Sequence, residues 1–128
     1  MALKTRRWCA PAEPDDGLRV LVTRYRPRAL LKAEETWDVW MRELGPSPEL
    51  FKAFTRERAP IQFSEYRLKY LGEMAAQGER IAQLAARLDA GQNVTLLCSK
   101  NCFLPAVCHR TALAELIEAA RRSPVRTS

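Results

Sequence analysis

No apolar run in the 128 residues approaches the roughly 18 that a membrane helix needs. No apolar core follows the basic residues of Met1–Arg7 either, which argues against a secretory signal and makes the cytoplasm the expected compartment. That compartment is reducing, so Cys9, Cys98, Cys102 and Cys108 read as buried, metal-binding or reactive thiols, not as a disulfide scaffold. There is one histidine, His109, and no repeated cysteine or histidine pair at a common zinc spacing. The net charge is +6, yet there is no polybasic run and no motif of the known nucleic-acid modules. Sixteen of the 21 basic residues are arginines spread along the chain, so a general attraction to polyanions at low salt is expected and says little about function. Internal repeats and low-complexity stretches are also absent.

What is there is an ordinary globular composition, 47% hydrophobic and 28% charged, in a length that suits one domain with a real core. Residues 1–122 are assigned to a single domain and 123–128 to a frayed tail. Leu18–Thr23 and Val94–Cys98 are short valine- and leucine-rich runs that suit buried strands, and Leu3–Cys9 suits a third. From Glu34 the period changes: Trp37, Trp40, Met41 and Leu44 fall at i, i+3, i+4 and i+7, which predicts a helix ended by Gly45-Pro46. Ser47 is placed to cap a second helix that begins at Pro48. A third, after Pro60, carries Phe63, Tyr66, Tyr70, Leu71 and Met74 on one side, and a fourth carries Ile81, Leu84, Ala85 and Leu88 and stops at Gly91. The last runs from about Ala106 to Arg122. Strands separated by helices predict an α/β fold with a small, mostly parallel sheet covered by helices on both faces. Three strands are few, and a further one is expected near the N-terminus or around Phe63.

In such sheets ligands collect at the carboxyl ends of the strands. One predicted strand feeds Arg24-Tyr25-Arg26-Pro27-Arg28, and the other ends in Cys98 and leads through Cys102 and Pro105 to Cys108-His109-Arg110. Guanidinium groups bind phosphate or carboxylate at two points, which makes Arg19, Arg24, Arg28 and Arg110 candidate ligands for an anion. The competing reading pairs one arginine with a structural carboxylate such as Glu43 or Glu73 and leaves the others solvated. Cys108 lies at or near the first turn of the last helix, where free backbone N–H groups favour a thiolate, so Cys98 or Cys108 is a candidate nucleophile or redox sensor. Each can equally be a small buried hydrophobe. His109 is a candidate general base for a neighbouring thiol, or a donor to a backbone carbonyl at the helix start. If a metal is held, its ligands are Cys98, Cys102 and Cys108. The C-x3-C-x5-C-H spacing matches no common zinc pattern, however, and Cys108 and His109 on one helix would point about 100° apart. No cofactor is indicated. Cys102 and Arg110 are eight positions apart, which sets aside the C-x5-R phosphatase loop.

The run from Asp16 to Arg28, Asp-Gly-Leu-Arg-Val-Leu-Val-Thr-Arg-Tyr-Arg-Pro-Arg, resembles the signature D-G-x-R-V-L-V-D-R-x-W-P-R-G of the domain of unknown function 488 family, in its YeaO-like branch. The likeness continues through Trp40, Leu44, Pro46-Ser47-Pro48-Glu49-Leu50, the Phe63-x-x-Tyr66-Arg67-x-x-Tyr70 segment with Glu73, and Val94–Leu97. Thr23 stands where the signature has aspartate, Arg26 where it has tryptophan and Ala29 where it has glycine. Cys98 and Cys108-His109-Arg110 resemble the other branch, which carries a strand-end cysteine and a C-H-R segment opening the final helix. The resemblance implies a compact α/β domain without an established activity.

Together these features predict a cytoplasmic domain with a cleft for a small anionic ligand, a nucleotide or phosphorylated metabolite, using Arg24, Arg28 and Arg110 around Cys98 and Cys108. Thiol chemistry is the most economical reaction if the protein is an enzyme, which the sequence leaves open. The rival readings are a non-enzymatic nucleic-acid-binding protein and a metal- or redox-sensing module built on Cys98, Cys102 and Cys108. Oligomeric state is not legible from the sequence.

Overall fold

The computed structural model describes residues 3–27, 30–55, 61–99 and 108–121. Among these residues four strands, β1 (Leu3–Arg7), β2 (Leu18–Leu21), β3 (Val39–Trp40) and β4 (Val94–Cys98), pair in parallel in the order β1-β4-β2-β3. Helices α1 (Pro48–Thr55), α2 (Phe63–Met74) and α3 (Gly78–Asp89) lie between β3 and β4, and α4 (His109–Ala120) follows β4. The α/β class and parallel pairing agree with the sequence pattern. β4 has neighbours on both sides and is buried at all five positions, which is why its sequence is a nearly unbroken apolar run. Among the described residues, no helix is long and apolar enough to cross a membrane.

Side chains alternate across the sheet, and the two faces are finished differently. Val20, Val22, Val94 and Leu96 join one apolar cluster with Leu50, Tyr70, Leu84, Leu88, Leu113 and Ile117, so all four helices contribute to that layer. The other face carries Leu21 and Leu97, both buried, beside a polar row in which Lys4, Thr95 and Arg19 are register neighbours across three strands. The described partners of that row lie in connections. The Trp8–Gly17 segment must pass β4 to carry the chain from β1 to β2, and it presents Asp16 to the row. Thr95 Oγ1 donates to the Asp16 carbonyl (2.8 Å), while the Asp16 carboxylate accepts from Lys4 Nζ (2.6 Å) and Arg19 Nη1 (2.5 Å). Arg19 also donates to the carbonyls of Thr36 (2.7 Å) and Ala10 (3.0 Å).

The helix expected over Trp37–Leu44 is instead β3 followed by a 3-10 turn at Arg42–Leu44; β3 is the additional strand, but at neither expected place, and Phe63 opens α2. Val39 and Trp40 pair with Val20 and Leu21, and Met41 N–H donates to the Leu21 carbonyl (2.9 Å). The helical spacing of the apolar residues is coincidental: Trp37 packs edge-on against Trp8, Trp40 Nε1 donates to the Thr23 carbonyl (2.8 Å), and Leu44 enters the core from the turn. A two-residue strand is too short to show a period of its own.

The capping expectations hold. Ser47 Oγ accepts from Leu50 N–H (3.1 Å), and Glu73 of α2 holds Ser47 through its N–H (2.8 Å) and its hydroxyl (2.5 Å). Gly91 follows α3 at φ +93°. Tyr70 is fully buried in α2 and donates its hydroxyl to the Leu44 carbonyl (2.6 Å), tying α2 to the turn after β3. Tyr70→Phe leaves that buried carbonyl short of a donor and should cost about 1–2 kcal/mol, read as a lower midpoint in urea with an unchanged slope.

Candidate functional site

Parallel pairing brings the carboxyl ends of all four strands to one edge. Arg7 is level with Cys98 there, and Leu21 with Leu97, so Arg24 and Cys98 lie at the same edge. α4 begins at this edge. Cys108 is its N-cap in extended conformation (φ −130°, ψ 142°), with its carbonyl accepting from Thr111 N–H (3.1 Å). Because Cys108 precedes the helix, the 100° separation expected of two successive helical residues does not apply to Cys108 and His109.

Two thiols and the imidazole meet under the sheet end. Cys98 Sγ and Cys108 Sγ are 3.2 Å apart, and Cys108 Sγ is 3.9 Å from His109 Nδ1. The other ring nitrogen, Nε2, is 2.8 Å from the Val22 carbonyl. A carbonyl only accepts, so Nε2 carries the proton; in the neutral ring Nδ1 then has its lone pair on the thiol side. Tyr70 packs edge-on against the imidazole at 5.4 Å between ring centres. Burial, with smaller contributions from Tyr66, Cys108, Cys98 and Glu73, pushes the Tyr70 phenol well above its usual range, so it remains a neutral donor. Cys98, Cys108, His109 and Arg110 are all buried. One donor atom from each of Cys98, Cys108 and His109 falls within 4.8 Å of the others, so among the described residues these three bring together the donors a soft metal ion takes.

The arginines are dispersed in role. Arg19 faces the opposite side of the sheet and is engaged by Asp16, Ala10 and Thr36. Arg24 Nε donates to the Pro46 carbonyl (2.9 Å), with Nη2 3.4 Å from the Gly45 carbonyl, anchoring the strand end to the turn before α1. Arg26 pairs with Glu35 (2.8 Å), donates to the Leu30 carbonyl (2.8 Å) and lies over the Trp37 ring. Arg110 occupies the first turn of α4, 3% exposed. Glu43 meets Arg80 and Glu73 meets Ser47, while Asp16 pairs with Arg19 and Glu35 with Arg26. Arg28, Cys102 and the 123–128 tail lie outside the described residues.

Sequence reasoning missed the Val22 carbonyl, Tyr70 and Arg7 as neighbours of this edge. The aromatic spacing of α2 marked Tyr70 only as core, and a backbone carbonyl leaves no trace in side-chain identity. Thr23, at the aspartate position of the signature, donates to the Tyr25 carbonyl (2.8 Å) and its own carbonyl accepts from Trp40, so here the position serves the turn.

Fold and site thus define a small parallel α/β domain with a thiol–imidazole cluster at the carboxyl edge of its sheet. The model of the family described as the Active DUF488-N3 subclade matches residues 3–121, and the chain belongs to this domain of unknown function 488 family. It is 38% identical over 102 residues to the uncharacterised protein YeaO of Escherichia coli strain K12, covering 77% of this chain and 84% of that protein. Uncharacterised proteins of Mycobacterium bovis and Mycobacterium tuberculosis are each 34% identical over 62 residues, 48% of this chain and 51% of theirs. No solved structure matches significantly.

Proposed function

We propose that the carboxyl edge is a thiol-dependent site for a small anionic ligand, a nucleotide or phosphorylated metabolite, with Cys108 as the nucleophile and His109 as its base. The observation that carries this reading is the 2.8 Å contact between His109 Nε2 and the Val22 carbonyl. It orients the ring so that Nδ1 can take the proton from Cys108 Sγ, producing a thiolate and an imidazolium. The N-terminus of the 12-residue α4 favours the thiolate further. Arg110, and Arg24 and Arg28 after β2, supply positive charge for the ligand. Arg19 drops out of the anion set because its guanidinium is committed to Asp16 and to two carbonyls.

The test is the pH dependence of Cys108 carbamidomethylation by iodoacetamide, with and without phosphate or AMP. The unperturbed protein should react with an inflection below the ordinary thiol value of about 8.5, and His109→Gln should react about 10-fold more slowly at neutral pH, one pKa unit being a factor of ten. Phosphate or AMP should protect Cys108. Identical profiles for the two proteins would remove His109 as the base, and an absence of protection by either anion would remove the ligand class.

A further inference from the structure

The two buried sulfurs of the site are already in contact, on elements that hold them there. Cys98 closes a strand paired on both sides, and Cys108 caps a helix whose next residue is bonded to the Val22 carbonyl. Their 3.2 Å separation must shrink by only about 1.1 Å to reach the length of a disulfide bond. No disulfide engages Cys9, Cys98 or Cys108, and Cys9 is exposed in the β1–β2 connection while the other two share the core.

We propose that Cys98 and Cys108 form a redox-active pair that hydroperoxides oxidise to an intramolecular disulfide, which withdraws the nucleophile of the site. The order of events rests on the reading of Cys108 as the activated thiol. Cys108 thiolate attacks the distal peroxide oxygen; the O–O bond breaks, the leaving alkoxide or hydroxide takes a proton, and Cys108 becomes a sulfenic acid. Cys98 thiol then attacks that sulfur: the S–S bond forms, the S–O bond breaks, and the hydroxyl leaves as water with the Cys98 proton. Two thiols lose two electrons in total, and one hydroperoxide is reduced to an alcohol, or to water when the oxidant is hydrogen peroxide. The neighbouring imidazole is placed to shuttle the protons of both steps. Cys98 is in this account the resolving thiol, a role that needs contact with Cys108 and no activation of its own.

The experiment titrates the reduced, chelator-treated protein with hydrogen peroxide and follows free thiols, intact mass and peptide fragment ions. Expected are a loss of two hydrogens from the protein mass, a Cys98–Cys108 link, loss of iodoacetamide reactivity at Cys108, and full recovery with dithiothreitol. In Cys98→Ser, oxidation should stop at a dimedone-reactive sulfenic acid on Cys108 and pass to the sulfinic acid with more peroxide. A link from Cys108 to Cys102 or Cys9, links between molecules, or oxidation confined to Cys9 would overturn the proposal. So would a stoichiometric metal ion that survives the chelator and blocks oxidation. The outcomes also separate the two readings. If the Cys98–Cys108 link forms while His109→Gln leaves alkylation unaltered, the base assignment fails and the pair stands; if alkylation follows His109 and the link does not form, the pair fails alone.

Discussion

Gly17→Ala is expected to destabilise the protein by about 2–5 kcal/mol, the sum of a left-handed backbone penalty and an overpacking term. Gly17 sits at φ +65°, and a Cβ built there would lie 2.0 Å from the Asn93 carbonyl oxygen and 2.5 Å from its carbon. Those atoms belong to the residue preceding β4, and the same oxygen accepts Leu18 N–H at 3.0 Å. Relief of the clash therefore requires movement where β2 first meets β4. Gly91 is the control, since its φ is +93° but nothing lies within 4 Å of a Cβ there. Gly91→Ala should cost only the conformational penalty, about 1–2 kcal/mol. Equilibrium urea unfolding of both variants separates the two contributions, and equal losses would show that the Asn93 contact gives way freely.

The strands and helices legible in the sequence are those whose burial is of one kind throughout. β4, buried on both faces, reads as an apolar run, and α3 reads as a stripe because Ile81, Leu84, Ala85 and Leu88 share one buried side. β3 was not legible because two residues joined to β2 by backbone bonds leave no periodic signal. The cover over the Lys4–Thr95–Arg19 row was hidden for a related reason. It comes from Asp16 in a polar, proline-containing connection, which on composition alone looks like solvated loop.

At the site, residue types were legible and pairings were not. Cys98, Cys108 and His109 stood out by identity, and parallel topology explains why they share an edge with Arg24. Of the two roles read for His109, the structure shows the donor to a backbone carbonyl, and that role is compatible with the proposed one as base. Nε2 makes the carbonyl bond, and that bond is what turns Nδ1 to the thiol. The arginine segment read as one cluster, yet alternation across the sheet sends Arg19 to the far face. Arg24 and Arg26 find carbonyls and Glu35 that no spacing rule could identify.

Asp16→Asn should cost about 3–5 kcal/mol at neutral pH, the range for breaking a buried ion pair by removing one partner. Asp16 is 2% exposed and Arg19 4% exposed, so the variant leaves a guanidinium in the interior without its counter-charge and with Lys4 and Arg6 close by. Burial alone would raise the Asp16 carboxyl. The hydrogen bonds from Lys4, the Glu13 N–H and Arg19 more than offset this and hold it well below the usual carboxylate range. A depressed folded-state pKa contributes stability that is fully present above the unfolded value of about 3.9 and is lost as pH falls below it toward the folded value. Urea unfolding at a series of pH values should therefore show wild type and Asp16→Asn converging below about pH 4, with the gap constant from pH 6 to 8. Asp16→Leu combined with Arg19→Met removes both charges and should recover most of the loss, since apolar replacement of a buried pair is often neutral. Folded Asp16→Asn should also alkylate at Cys108 like wild type, because the acidic network and the thiols lie on opposite faces of the sheet. That outcome assigns the D-G-x-R start of the family signature to holding β1, β4 and β2 together. An altered Cys108 rate would instead couple the signature to the site through β4.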